Sequence, residues 1–209
     1  MNVFASESCP EGRSLLRFLL KHKIAYQLLQ ASPLSHKSSV KDIEAILGPV
    51  VQEPDGFCLQ GAVPIVRYLE AANGLRKTGC PRKDAMRNAL LDWYVSSLKM
   101  EFQALRELRE RQGEDGYVMG RIEDNLKVLN NVYLADPIVK TEEFWIWRTL
   151  VYNELWNALF LDVELGEYEH VCRFLKEQAD QDEPKLKENT KKALLAAKPQ
   201  NNAALIQSL

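Results

Sequence analysis

Several common functions are excluded by what the sequence has too little of. Its four cysteines, Cys9, Cys58, Cys80 and Cys172, stand far apart and form no CxxC pair or Cys/His cluster. Such spacing offers a metal ion no ligand set. No apolar run approaches the roughly 18 residues that a membrane-spanning helix needs. The opening MNVFASESCPEGR has no basic start followed by an apolar stretch, so it does not read as a secretory signal. Charge of one sign is also lacking: 27 basic and 29 acidic side chains leave a formal net charge of -2. A dedicated nucleic-acid binder is usually strongly basic. Gly-rich phosphate loops, HExxH and Ser/His/Asp patterns are absent too. The expectation is a cytoplasmic chain with reduced thiols, no metal and no membrane contact.

What is present is ordinary globular material, with 46% hydrophobic and 27% charged residues over 209 positions. A chain of this length buries roughly 70% of its unfolded surface and needs no staples. Asn2 to Ala5 read as a strand, Ser6 to Gly12 as a loop, and the run from Leu15 to Leu20 as a helix ending near Lys21-His22-Lys23. Ala25 to Gln30 predict a second strand, Ser32 to Ser39 a loop, and Val40 to Leu47 a helix stopped by Gly48. Pro49 to Gln52 and Phe57 to Leu59 predict a hairpin about Glu53-Pro54-Asp55-Gly56. Val63 to Ala72 then predict a helix, with Pro64 tolerated in its first turn. The order β-α-β-α-β-β-α defines a small α/β domain over residues 1–74.

Residues 75–82, LRKTGCPR, read as a linker. Everything beyond, over residues 83–198, is helical in pattern. Lys83 to Gln112 form a long amphipathic stretch with Met86, Leu90, Trp93, Tyr94, Leu98, Phe102, Leu105 and Leu108 on its apolar side. Further helices are expected over Tyr117–Tyr133, Thr141–Leu161, Glu167–Ala179 and Pro184–Lys198, with 199–209 as a frayed tail or linker stub. Trp145, Tyr152 and Trp156 share a helical face and read as core. Trp147 lies off that face and becomes a contact candidate if exposed. Cys58 in its strand and Cys172 in its helix read as packed.

Local residues then point to a family. Pro49-Val50-Val51 before an acidic turn resembles the V-P-x-L segment of glutathione transferases, whose proline is cis. Leu59 to Leu69, LQGAVPIVRYL, resembles their L-x-E-S-x-A-I-x-x-Y-L, with Ile65, Tyr68 and Leu69 in register. Tyr133-Leu134-Ala135 followed by Thr141 resembles the start of a later family helix, although Phe144 replaces its capping acid. The resemblance covers roughly residues 1–198. It implies a thioredoxin-like α/β domain followed by an all-α domain.

The departures bear on activity. The E-S pair that grips the γ-glutamyl end of glutathione is Gly61 and Ala62 here. Each lost hydrogen bond is worth roughly 1–3 kcal/mol. Cys9-Pro10 resembles the cysteine of omega-like transferases, a nucleophile whose thiolate a helix N-terminus stabilises, with Arg13 nearby. The competing reading of Cys9, favoured by Gly61 and Ala62, is a loop thiol without a reaction. Under the enzymatic alternative Cys9 and Pro49 would contact glutathione as substrate and cofactor.

A narrower resemblance leads elsewhere. The opening MNVFASESCPEG is similar to the start of the transferase-like domain appended to animal methionyl-tRNA synthetases. His170 to Leu175, HVCRFL, resembles the H-V-x-R-W-F helix of such domains in glutamyl-prolyl-tRNA synthetase and the multisynthetase-complex auxiliary proteins. That resemblance implies no catalytic residue, no cofactor, and pairing with another transferase-like domain as a heterodimer or homodimer. It places His170 and Arg173 on one pairing surface, and Pro64, Arg67, Met86 and Leu90 where transferases dimerise. Arg173 has the plainer reading of a solvated arginine. The basic stretch Lys185, Lys187, Lys191, Lys192 and Lys198, diluted by Glu183 and Glu188, reads as a solvated face, so any tRNA contact would be weak or indirect.

Overall fold

The computed structural model describes residues 1–6, 9–30, 48–75, 80–181 and 201–209. The sequence-predicted helices over 40–47 and 184–198, and the lysines of the latter, lie outside the described residues. Two compact units divide the chain, Met1–Ala85 and Met86–Leu209.

The first unit contains strands β1 (Asn2–Ala5), β2 (Gln27–Gln30), β3 (Val50–Gln52) and β4 (Cys58–Gln60), with helices α1 (Pro10–Lys21) and α2 (Ala62–Ala72). Its sheet has the order β2-β1-β3-β4. β1 runs parallel to β2, with Val3 opposite Leu28, and antiparallel to β3, with Val3 opposite Val51. A parallel neighbour needs a crossover, and α1 supplies it. Val3 and Val51 are fully buried, and so are Leu15 and Leu19 of α1 and Ile65 of α2. The two helices pack on each other. Pro10 presets the first turn of α1. Gly12 in that turn has no substitute, since a Cβ there would lie 2.3 Å from the Ser6 carbonyl oxygen.

Two expectations fail in this unit. No peptide bond among the described residues is cis, so Gly48–Pro49 is trans. The two forms of an X–Pro bond differ by only about 0.5–1 kcal/mol, and surroundings decide between them. Here Gly48, at φ +126°, makes the bend. Cys58 is exposed rather than packed, because β4 is an edge strand.

The second unit is helical. α3 (Pro81–Trp93) crosses the division and runs through a π segment, Tyr94–Lys99, into α4 (Met100–Glu110). α5 (Gly116–Val128) likewise ends in a π segment, Leu129–Tyr133. Short 3-10 turns at Pro137–Lys140 and Glu142–Phe144 precede α6 (Trp145–Phe160), followed by α7 (Glu169–Ala179) and α8 (Ala203–Ser208). α6 is the central helix, buried on nearly every side. Its position buries Trp147 completely, which removes that residue as a contact candidate. Tyr94, from the first π segment, donates its buried hydroxyl to the buried Glu154 carboxylate of α6 at 3.2 Å.

Residues 201–209 are no frayed tail. Leu205, Ile206 and Leu209 are buried, and Asn202 is only 1% exposed. The Asn202 carboxamide accepts from the Leu165 amide at 3.0 Å and donates to the Val163 carbonyl at 2.7 Å. Asn201 bonds the backbone and side chain of Asp162. Apolar burial and these polar clamps dock α8 on the connection between α6 and α7. Among the described residues, no helix is long and apolar enough to cross a membrane, and no cluster of His, Cys, Asp and Glu could hold a metal ion.

Candidate functional site

Two places in the fold gather the sequence-predicted residues. The first lies in the α/β unit, at the starts of α1 and α2. Cys9 is the N-cap residue of α1 and half-buried, but its side chain makes no capping bond. Its amide donates to the Ser6 carbonyl at 3.1 Å, and its carbonyl accepts from the Arg13 backbone amide at 3.0 Å. Pro49 is buried, and its carbonyl is taken by the Gly61 amide at 2.8 Å. Gly61 is the N-cap of α2, at φ +87° and ψ 140°. That backbone region is essentially reserved for glycine. Ala62 follows with zero exposure. Neither residue offers a side-chain oxygen, and the first turn of α2 holds no acid.

Sequence reasoning missed one residue here. Glu11 is only 3% exposed. Its carboxylate borders Gly48: a Cβ built on Gly48 would sit 2.7 Å from Glu11 Oε2 and 3.9 Å from Gly61 Cα. A buried carboxyl group therefore stands close to the N-cap of α2. An acid directly after Cys-Pro was the available signal. The same unit carries the exposed Pro64 and half-buried Arg67 on one face of α2. Phe57 is exposed on the hairpin and meets the Tyr68 ring at 5.3 Å. Tyr68 donates to Glu53 at 3.4 Å, and burial with that carboxylate raises its hydroxyl above the usual tyrosine range.

Of the two residues assigned to pairing on α3, Met86 is half-buried, whereas Leu90 is 2% exposed and belongs to the core. The i, i+4 stripe of Met86, Leu90 and Tyr94 turns inward, so Leu90 is not available to a partner.

The second place is the start of α7. Arg173 is exposed, and its Nη2 lies 2.5 Å from His170 Nδ1 and 3.7 Å from Glu169 Oε1. A guanidinium can only donate, so Nδ1 of His170 is the acceptor in this contact. These two residues border a cavity of about 20 Å³ with Lys140, Arg148, Phe174 and Glu177. That volume suits a group about the size of one water molecule. Arg148, on α6, was not singled out by its sequence pattern. Its Nη1 donates to the Lys140 carbonyl, and its Nε is buried without a hydrogen-bond partner. Burial lowers its pKa, against the opposing pull of Glu142 and Glu177. Glu177 pairs with Lys140 at 3.3 Å instead. The cavity thus has three cationic side chains around it and one carboxylate.

Cys172 on the same helix donates to the Leu165 carbonyl at 3.2 Å, and burial pushes its thiol pKa up. It has the opposite of the electropositive, accessible setting that makes a cysteine reactive.

No family model matches the sequence, and no curated protein matches it. Solved structures do. Glutathione S-transferase 1-6 from Anopheles dirus species B superposes with a TM-score of 0.76 at 14% identity, covering 100% of both chains. A diazinon-metabolizing glutathione S-transferase of the silkworm Bombyx mori gives 0.73 at 15% identity, over 94% of this chain and 98% of that one. Human glutathione-S-transferase T1-1 in its apo form gives 0.70 at 15% identity, over 100% and 95%. The chain has the glutathione-transferase-like fold: a thioredoxin-like α/β unit followed by a helical one. Fold alone assigns no activity.

Proposed function

We propose that this chain is a non-catalytic interaction module, the transferase-like domain that docks an aminoacyl-tRNA synthetase into a multisynthetase complex. Methionyl-tRNA synthetase is the parent enzyme we favour, and the partner is another transferase-like domain. The observation that carries this reading is the half-buried Arg148, whose Nε lacks a partner, beside Arg173 and His170. A desolvated guanidinium of this kind is suited to a carboxylate supplied from outside. The start of α2 supports the same reading from the other side. Gly61 and Ala62 offer no side-chain partner for a tripeptide's charged end.

The test mixes the purified chain with transferase-like domains of synthetases and auxiliary proteins, then measures affinity by calorimetry. One domain binds, and Arg148→Gln weakens that complex by about 2 kcal/mol, roughly thirtyfold, as expected for truncating a partly buried charge pair. Arg173→Ala weakens the same complex. A chain that binds none of these domains refutes the reading.

The alternative is an omega-like, glutathione-dependent thiol transferase, favoured by the position of Cys9 at the α1 N-cap. It requires glutathione-dependent activity that disappears in Cys9→Ala. Retention on immobilised glutathione together with such activity would establish it and displace the adaptor reading.

A further inference from the structure

α7 has the wrong residue at its own N-cap. Tyr168 occupies that position, and its side chain makes no capping bond. The N–H groups of a helix's first turn have no partner within the helix, and an N-cap side chain usually accepts from the second or third of them. In α7 those two amides belong to His170 and Val171. Both donate to Oδ1 of Asn130, at 2.8 and 3.2 Å. Asn130 lies 40 residues earlier, in the π segment Leu129–Tyr133. One carboxamide oxygen therefore does for α7 what a local Ser or Asp does elsewhere. The two N–H donors fix which end of the amide faces α7, and its Nδ2 donates to Asn131 Oδ1 at 2.7 Å.

We propose that Asn130 is the positioning residue of the α7 surface: by capping α7 from another helix, it sets the first turn that presents His170 and Arg173. This rests on the reading of that surface as a docking face, but its test does not need the partner. The backbone of His170 is held directly by Asn130, and the His170 ring accepts from Arg173. Loosening the cap loosens the pair.

The experiment compares wild type, Asn130→Ala and Asn130→Asp, following amide hydrogen exchange and the ¹⁵N signals of the His170 ring. In wild type the His170 and Val171 amides are protected, and His170 Nδ1 gives the ¹⁵N shift of a hydrogen-bond acceptor. Asn130→Ala speeds exchange at those two amides by about tenfold relative to the rest of α7 and moves that Nδ1 shift. Asn130→Asp restores both signals, because its carboxylate still accepts both N–H groups and is an anion at a helix N-terminus. Unchanged exchange and Nδ1 shift in Asn130→Ala overturn the proposal. So does Asn130→Asp behaving like alanine, an arm that decides the matter even if Asn130→Ala does not fold. With a partner domain in hand, affinity must follow the same order. Equal partner affinity in Asn130→Ala and wild type would end the positioning role, whereas a wild type without any partner would count only against the docking reading.

Discussion

Replacing Asn202 by alanine tests how residues 201–209 are held. The side chain makes two buried hydrogen bonds, one to each side of the connection: it accepts from Leu165 and donates to Val163. Alanine leaves a buried N–H and a buried carbonyl without those partners. A net hydrogen bond is worth about 1 kcal/mol, and an orphaned buried group about 1–3 kcal/mol. Water entering from the side of the exposed Asn201 limits the loss, so about 2–3 kcal/mol is expected. For a chain of this size that lowers the melting temperature by roughly 4–12 °C. Asn202→Asp separates the two bonds. An ionised carboxylate keeps the bond from Leu165 but faces the Val163 carbonyl with no proton to give. Only the protonated acid can replace both bonds, so folding raises the new group's pKa above the usual aspartate value of about 3.9. A raised folded pKa contributes stability that is fully present below the unfolded value and lost as pH rises through the folded one. The deficit of Asn202→Asp is therefore largest at neutral pH and shrinks as the pH falls towards 4. Urea denaturation of wild type and both variants at pH 7 and pH 5 measures it. An alanine variant within about 0.5 kcal/mol of wild type, or an aspartate variant with a pH-independent deficit, refutes the account of how α8 is docked.

Two further outcomes follow from local geometry. Gly61→Ala should destabilise by about 1–2 kcal/mol through backbone strain alone, since its Cβ would meet the Pro64 ring at ordinary distances of 3.5 and 3.8 Å, whereas Gly12→Ala should cost more because its Cβ meets the Ser6 carbonyl; equal values in chemical denaturation would contradict this. In timed alkylation mapped by mass spectrometry, the exposed Cys58 and Cys80 should react before Cys172, whose thiol is half-buried, raised in pKa and bonded to Leu165. Cys9 outpacing the exposed pair would instead favour the transferase alternative.

Which features could be read from the sequence follows from how far apart the interacting residues lie. β1, α1 and the β3–β4 hairpin rest on short-range signals: an apolar run, Pro10 at a first turn, and Asp55-Gly56 in a turn where Asp55 accepts from Phe57 at 2.9 Å. Those signals stand in adjacent residues, and the strands and helices appear where they indicate. α6 was harder because a helix buried on every side has no polar face to give its orientation, so Trp147 could be read either way. The stripe of Met86, Leu90 and Tyr94 had the same ambiguity, since periodicity identifies an apolar face without saying whether it meets the chain's own core or a partner. The Thr141 turn shows a nearer failure: Asp136, five residues earlier, caps the preceding 3-10 turn through Ile138 at 2.9 Å, while the Thr141 hydroxyl donates to the Ile138 carbonyl. Most hidden were the asparagines. Asn201-Asn202 looks like loop material, and Asn130 like a solvent-facing helix residue, until residues some 40 positions away are brought to them. Arg148 belongs with them, because a charged residue inside an apolar helix reads as a solvated one until burial is known. The residue that caps the α7 surface is thus one whose partners are distant in sequence. A sequence can name the cation, as HVCRFL names Arg173, but only the fold shows the second cation behind it and the amide that holds both His170 and Val171 in place.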